Sequence, residues 1–435
     1  MAISNNSIFY HIYSLGFCGA NEHNDYCSPA TSALSKISEN IEHLKKLGIN
    51  AVYLGPLFES ESHGYNTVDY FHVDRRLGTN EDLRNLINNF HANGIDVILD
   101  AVFNHSGREF FAFKDIKNNR NNSKYTDWYL NVNFSGNNHY NDGFSYEGWA
   151  GCLDLVKYNL KNHEIKDHLI QAALQWIREF NIDGLRLDAA DVLDFDFMRE
   201  LSQRCRNEKQ DFWLVGEVVH GDYSRWTRDA GLNSVTNYES YKGSWSSFND
   251  NNFFEIAYSL NRQFGQHGIY RQIQMYNFLD NHDVNRIAST LNHNEHLPLV
   301  YGLLFTIPGI PSVYYGSEFG IQGKRENNTD KQLRPALEKL YFSELTEWIS
   351  KLIQIRKQSP ALYNGDYKEL LVASKQFAFM RNFQNENIAV VFNCDFTNVT
   401  LNLKLQQNGC DLLTGETINL SNVEMKQNSM RIIRF

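Results

Sequence analysis

Apolar positions in this chain fall into short dense runs, and the stretches between them carry apolar residues at helical spacing. Runs dense in Val, Ile, Leu and aromatics lie near Ile8–Tyr13, Ala51–Leu54, Asp96–Ala101, Gly184–Asp188, Phe212–Gly216, Ser234–Thr236, Ile273–Phe278 and Ser312–Tyr315. They read as strands, and the most apolar of them, such as Ala51–Leu54 and Asp96–Ala101, as strands buried on both faces. Helical patterns intervene, for example over Ile37–Leu47, Glu81–Ala92, Glu164–Phe180 and Phe195–Arg206. Eight strands alternating with helices predict an α/β chain with a parallel (β/α)8 TIM barrel.

Several runs end in chemistry. The third leads into Asp100, Asn104 and His105, the fourth holds Arg186 and Asp188, the fifth ends at Glu217, and the seventh is followed by His282 and Asp283. In a strand, residues two apart project to the same face, so Arg186 and Asp188 point together. Burying a charge is costly unless it is paired or used. A structural ion pair explains Arg186 and Asp188 taken alone. A carboxylate held ionised by a fixed guanidinium, as a nucleophile requires, explains them equally. Acids at several strand tips favour the second reading, since the active site of such a barrel lies on its C-terminal face.

Two stretches break the alternation. More than eighty residues separate the third and fourth runs, and Ser106 to Gly151 is polar, Asn-rich and aromatic. A loop that long is functional or a small inserted domain, so 106–151 is read as an insertion over the barrel mouth. After Ser359, β-forming segments (Phe377–Arg381, Ile388–Asn393, Val399–Leu405, Met430–Phe435) follow one another with no helix between. They predict a C-terminal antiparallel β-sandwich over 359–435. The catalytic barrel is then 1–105 plus 152–358.

Composition narrows the partners. With 42% hydrophobic and 21% charged residues the chain is of globular type. A net charge of −10 argues against nucleic-acid or anionic-membrane partners, which reward clustered Lys and Arg. No apolar run approaches the roughly 20 residues of a membrane span. Six scattered cysteines without a CxxC pair, and no secretion signal over Met1 to Tyr13, lead us to expect free thiols and a cytoplasmic setting. Oligomeric state is not legible.

Taken in order, the blocks Asp100–His105, Gly184–Ala189, Gly216–Val218 and Phe278–Asp283 resemble those of the α-amylase family of glycoside hydrolases (family 13). The stretches His63–Thr67 and Gly309–Gly316 resemble the same family, and the likeness spans nearly the whole chain. The resemblance implies that Asp188 is the nucleophile, Glu217 the general acid/base and Asp283 the third acid. It also implies that Tyr65 stacks under the sugar and that His105 and His282 hydrogen-bond its hydroxyls, while Arg186 supports the nucleophile and Asp100 is structural. Asp330 and Arg334 resemble a pair at the sugar entrance, though a surface salt bridge fits them equally. The expected reaction is retaining hydrolysis of α-1,4-glucosidic bonds in maltooligosaccharides or related α-glucans. Environment must then split the two pKa values, Asp188 held low by Arg186 and Glu217 held high.

Three departures limit the substrate. Asp191 and Val192 stand where many endo-acting members carry a Lys-His pair. Asn66 replaces an Asp common in α-glucosidases, and Ala189 replaces a Val frequent in α-1,6-specific members. Rival readings are a 4-α-glucanotransferase using the same residues, and an inactive glycan-binding or assembly subunit. The chemistry requires no cofactor. Calcium is a candidate ligand: Asn104 matches a calcium-ligating position, and Asn21, Asn24 and Asp25 form an oxygen-rich loop. Turn and capping roles account for the same Asn residues.

Overall fold

The computed structural model of the chain describes residues 3–326 and 329–435. Eight parallel strands run through it: β1 (Phe9–Ile12), β2 (Ala51–Leu54), β3 (Asp96–Ala101), β4 (Gly184–Leu187), β5 (Trp213–Gly216), β6 (Ser234–Val235), β7 (Tyr276–Phe278) and β8 (Ile310–Tyr314). Their order is β7-β8-β1-β2-β3-β4-β5-β6. A parallel bridge between Thr236 and Tyr276 joins β6 to β7, and the Asn237 amide donates to Asn277 Oδ1 at 2.9 Å across the same seam. The ring closes into the expected TIM barrel.

The period of two along each strand builds this interior. Phe9, Ala51, Tyr53, Ile98, Trp213, Val215, Tyr276, Phe278 and Ile310 pack together inside the ring. Their neighbours Tyr10, Val52, Leu54, Val97, Leu99, Leu185 and Leu214 face outward to the helices. Continuing the inward parity leads from Phe9 to His11 and Tyr13, from Ile98 to Asp100, and from Val215 to Glu217. The apolar plug thus passes directly into a polar layer at the C-terminal end.

The helices are built as the patterning predicts. Asn80–Ala92 opens on a capping box between Thr79 and Asp82, and buries Leu83, Leu86, Ile87 and Phe90 on one stripe. His163–Phe180 ends at Asn181, which takes the left-handed conformation that stops a helix (φ 57°).

The segment after β3 carries its own small sheet. Cys152–Lys157 pairs antiparallel with His105–Ser106 on one side and Gly148–Trp149 on the other. This sheet spans both edges of the predicted 106–151 insertion and fixes His105 at its root.

C-terminal to the barrel lie β9 (Asp366–Val372), β10 (Gln376–Phe383), β11 (Glu386–Asn393), β12 (Val399–Leu401), β13 (Asn408–Asp411), β14 (Thr417–Asn419), β15 (Val423–Met425) and β16 (Ser429–Arg434). A six-stranded antiparallel sheet, β9-β10-β11-β16-β13-β14, faces the two-stranded sheet β12-β15. Ala378, Ala389, Val391, Leu420, Val423 and Ile433 fill the space between them. The opposite face of the large sheet, with Phe377, Phe379, Val390, Phe392 and Ile432, joins the barrel core. There helix Leu297–Thr306 comes so close to β16 that a side chain at Gly302 would have to displace the end of the Met430 side chain.

Candidate active site

Arg186 organises the polar layer. From the interior face of β4 its guanidinium donates to Asp100 Oδ1 and Asp188 Oδ1, each at 2.8 Å, and pairs with Glu217 Oε2 at 2.8 Å. Asp100 is completed by the hydroxyls of Tyr53 at 2.5 Å and Tyr65 at 3.0 Å. With three protein donors on it, Asp100 is the structural partner of Arg186, as expected. Glu217 follows β5 directly, and its Oε2 accepts the Ala189 N–H at 2.9 Å. Ala189 itself is held at φ 47°, a left-handed backbone uncommon for a residue with a Cβ.

Asp283 lies beyond β7. Its Oδ2 meets His282 Nε2 at 2.9 Å and its Oδ1 accepts from Arg334 at 2.9 Å. Arg334 also donates to the His282 carbonyl at 3.0 Å and to Asp330 at 3.0 Å. Arg334 therefore holds the third acid and is not a surface ion pair. The His282 ring lies nearly parallel to Tyr65, with centroids 5.4 Å apart, and to Tyr13 at 5.7 Å. Tyr65 hydroxyl meets His282 Nε2, which links the Asp100–Arg186 cluster to the Asp283–Arg334 cluster. His105 is buried, and its Nε2 donates to the Tyr65 carbonyl at 3.0 Å while Nδ1 accepts from the Asn104 amide at 3.1 Å. Both its ring nitrogens are used within the protein, so here His105 shapes the Tyr65 segment.

All seven residues singled out in the sequence (Asp188, Glu217, Asp283, Tyr65, His105, Arg186 and His282) thus belong to one connected network. Sequence reasoning missed Tyr13, Tyr238 and Trp149. Tyr238 hydroxyl accepts from the Asn281 amide at 3.3 Å, and the Trp149 ring of the insert lies 5.9 Å from His105. Tyr13 was available as the residue next after β1; the other two sit where no strand pattern points.

Charge counting explains the protonation. One guanidinium, Arg186, serves three carboxylates. Burial raises Asp188 well above the usual carboxylate range; Arg186 pulls it down, but Glu217, Asp100 and Asp283 push it up. Glu217 is raised by burial and by Asp283 despite the same guanidinium. Asp283 goes the other way: burial opposes it, yet His282, Arg334 and Arg186 hold it below the ordinary range. This corrects the expectation that Arg186 holds Asp188 low. Burial thus favours the protonated form of both Asp188 and Glu217, while Asp283 is held ionised. Burial also pushes His105 down to about 3, so its imidazole stays neutral.

The calcium expectation meets different chemistry. Asn104 spends its amide on His105. Asn24 Oδ1 accepts the Tyr26 N–H at 3.0 Å, and Asp25 Oδ1 accepts from Cys27 and Ser28 at 3.0 and 2.9 Å. Among the described residues, no three His, Cys, Asp or Glu side chains are grouped to hold a metal ion. Asn24 and Asp25 thus make the turn bonds that their residue types favour.

Three acids, Asp188, Glu217 and Asp283, thus stand at the C-terminal ends of a closed parallel barrel. The model of the alpha-amylase catalytic domain matches residues 11–343, and the chain belongs to that family. It is 35% identical over 365 residues to a cyclomaltodextrinase of Thermoanaerobacter pseudethanolicus, covering 83% of this chain and 63% of that protein. It is 32% identical over 431 residues to a maltogenic alpha-amylase of Bacillus acidopullulyticus, covering 92% of this chain and 70% of the relative. The ligand-free cyclic α-maltosyl-(1→6)-maltose hydrolase of Arthrobacter globiformis superposes with a TM-score of 0.84 at 26% identity, covering 99% of this chain and 98% of that one. Among the described residues no helix is long and apolar enough to cross a membrane.

Proposed function

We propose that the chain is a retaining α-glycosidase that hydrolyses α-1,4 bonds in maltooligosaccharides and related α-glucans. One observation carries this reading: Asp188 and Glu217 are bonded to the same guanidinium, and Asp283 joins that cluster through His282, Tyr65 and Asp100. Asp188 attacks the anomeric carbon while protonated Glu217 gives its proton to the departing glycosidic oxygen. The product of that step is a glycosyl ester on Asp188. Glu217, now a carboxylate, takes a proton from water, which attacks the ester carbon and frees Asp188. Asp283, kept ionised by His282 and Arg334, accepts hydrogen bonds from ring hydroxyls and stabilises the cationic transition state. Tyr65 supplies the flat face beneath the sugar, with Tyr13 and His282 stacked alongside.

Short substrates fit the surroundings better than long starch chains. Asp191 and Val192 stand exposed at the rim, where an acid and an apolar side chain replace a basic grip. The names of the relatives, cyclomaltodextrinase and maltogenic amylase, support compact α-1,4 substrates for this chain too. A cytoplasmic setting is part of the proposal, supported by six cysteines that are all unpaired.

Product analysis on maltotriose, maltoheptaose, cyclodextrin and pullulan tests the substrate. Smaller α-configured maltooligosaccharides support hydrolysis of α-1,4 bonds, while oligomers longer than maltotriose formed from maltotriose itself indicate transfer to sugar. Asp188→Asn should cut turnover by several orders of magnitude with the fold intact. Near-normal turnover in that variant overturns the nucleophile assignment.

A further inference from the structure

The loop after β1 and the loop after β2 are clasped by one buried side chain. Arg76, only 8% exposed, sends its guanidinium between them. Its Nε donates to Asp74 Oδ1 at 2.8 Å. One terminal nitrogen donates to the carbonyls of Ser62 at 2.7 Å and Asn21 at 2.9 Å, with that of Glu22 at 3.3 Å. The other donates to Asp74 Oδ2 at 2.6 Å and Ser60 Oγ at 2.9 Å. A guanidinium has five N–H donors, and all five are spent.

This is a cation in a cage of oxygens, two of them carbonyls of the same Asn21–Asp25 loop whose composition invites calcium. Calcium needs about six to eight oxygens and favours several carboxylates. Here Asp74 is the one carboxylate on the cage, and the nearby acids are engaged elsewhere: Glu59 pairs with Arg75 at 2.6 Å, and Glu61 accepts the Glu109 N–H at 2.9 Å. A divalent ion among these oxygens would face the Arg76 charge at contact distance and would have to displace its hydrogen bonds.

We propose that Arg76 is a built-in structural cation that takes the place of calcium in this chain. It ties the early loop to Ser60 and Ser62, and so to the His63–Thr67 segment that carries Tyr65. Without the guanidinium, Asp74 and three to four backbone and hydroxyl oxygens face one another with no positive charge, a set that a hard cation can then occupy.

The test uses the full-length enzyme and thermal melting as its main readout. The wild type should melt at the same temperature in excess EDTA and in millimolar calcium chloride. Arg76→Ala should melt lower by roughly 5 °C or more, and calcium chloride should recover part of that loss, whereas magnesium chloride recovers less because the smaller ion demands tighter geometry. A wild type that loses stability in EDTA and regains it with calcium overturns the proposal. So does an Arg76→Ala variant that melts like the wild type. If the variant does not fold, the EDTA and calcium melts of the wild type still decide.

Discussion

Ala189 sits in the left-handed backbone region and aims its N–H at Glu217 Oε2, 2.9 Å away. The residue after Asp188 thereby orients the Glu217 carboxylate through its main chain. Such a conformation costs an L-residue about 1–2 kcal/mol relative to glycine, offset by the packing around it. Ala189→Gly should therefore keep or raise stability, by up to about 1 kcal/mol. Ala189→Val, branched at Cβ, should lose more than ~1 kcal/mol and reduce kcat/KM as the N–H swings off Glu217. Urea melts and initial rates measure both. A valine variant equal to wild type in each would remove the link between backbone strain and the acid.

Arg186 is the counter-charge for Asp100, Asp188 and Glu217, and at 5% exposure it has no solvent to share the task. Removing one partner of a buried ion cluster leaves uncompensated charge, at a cost of about 3–5 kcal/mol. Arg186→Met should show that loss near neutral pH. The deficit should shrink on acidification, because protonated carboxyls need no counter-ion. A pH-independent deficit would mean that lost packing, not charge, is responsible.

The direction of the shifts at the acids sets two opposite pH windows. Asp188 and Glu217 are raised on folding. Their contribution is therefore fully present below the unfolded carboxyl range, near pH 4, and is lost as pH rises through their folded values. Asp283 is lowered. Its contribution is present above that range and is lost only as pH falls through its folded value. Asp188→Asn and Glu217→Gln should thus melt above the wild type near neutral pH, with the gap closing toward about pH 4. A gap that stays constant over that interval would show that the acids ionise freely in the pocket.

Legibility in the sequence followed burial. The barrel strands were visible because they are packed on both sides and most read as short apolar-rich runs. Their ends were less so. β7 starts at Tyr276 and not at Ile273, since Ile273 to Met275 is taken up by a turn whose N–H groups point back to Tyr270 and Ile273. β8 starts at Ile310, two residues before the predicted Ser312, because Pro311 aligns with Asn277 where its sequence context reads as a turn. The charged residues and His282 at or beyond the strand tips were legible, whereas Tyr13, next after β1, was not picked out. What stayed hidden depends on geometry that no local pattern encodes: the φ of Ala189, the stack of Tyr13 on His282, and Arg76, which reads as one more surface cation beside Arg75.

The separate roles of Asp188 and Glu217 can be told apart by the handedness of a rescued product. Removing a general acid/base typically costs ~10²–10⁴ in rate. A substrate such as 2,4-dinitrophenyl α-maltoside needs no proton on its leaving group, so Glu217→Ala should still glycosylate Asp188 and then stall. Azide needs no general base and should restart turnover by attacking the ester from the face that water uses, giving α-maltosyl azide. In Asp188→Ala the nucleophile's own place is vacant, so azide should enter from the opposite face and give the β-anomer. Proton NMR of the azide products distinguishes them by the coupling at the anomeric hydrogen. Exchanged anomers would swap the two assignments, and the same anomer from both variants would rule out a covalent intermediate on Asp188.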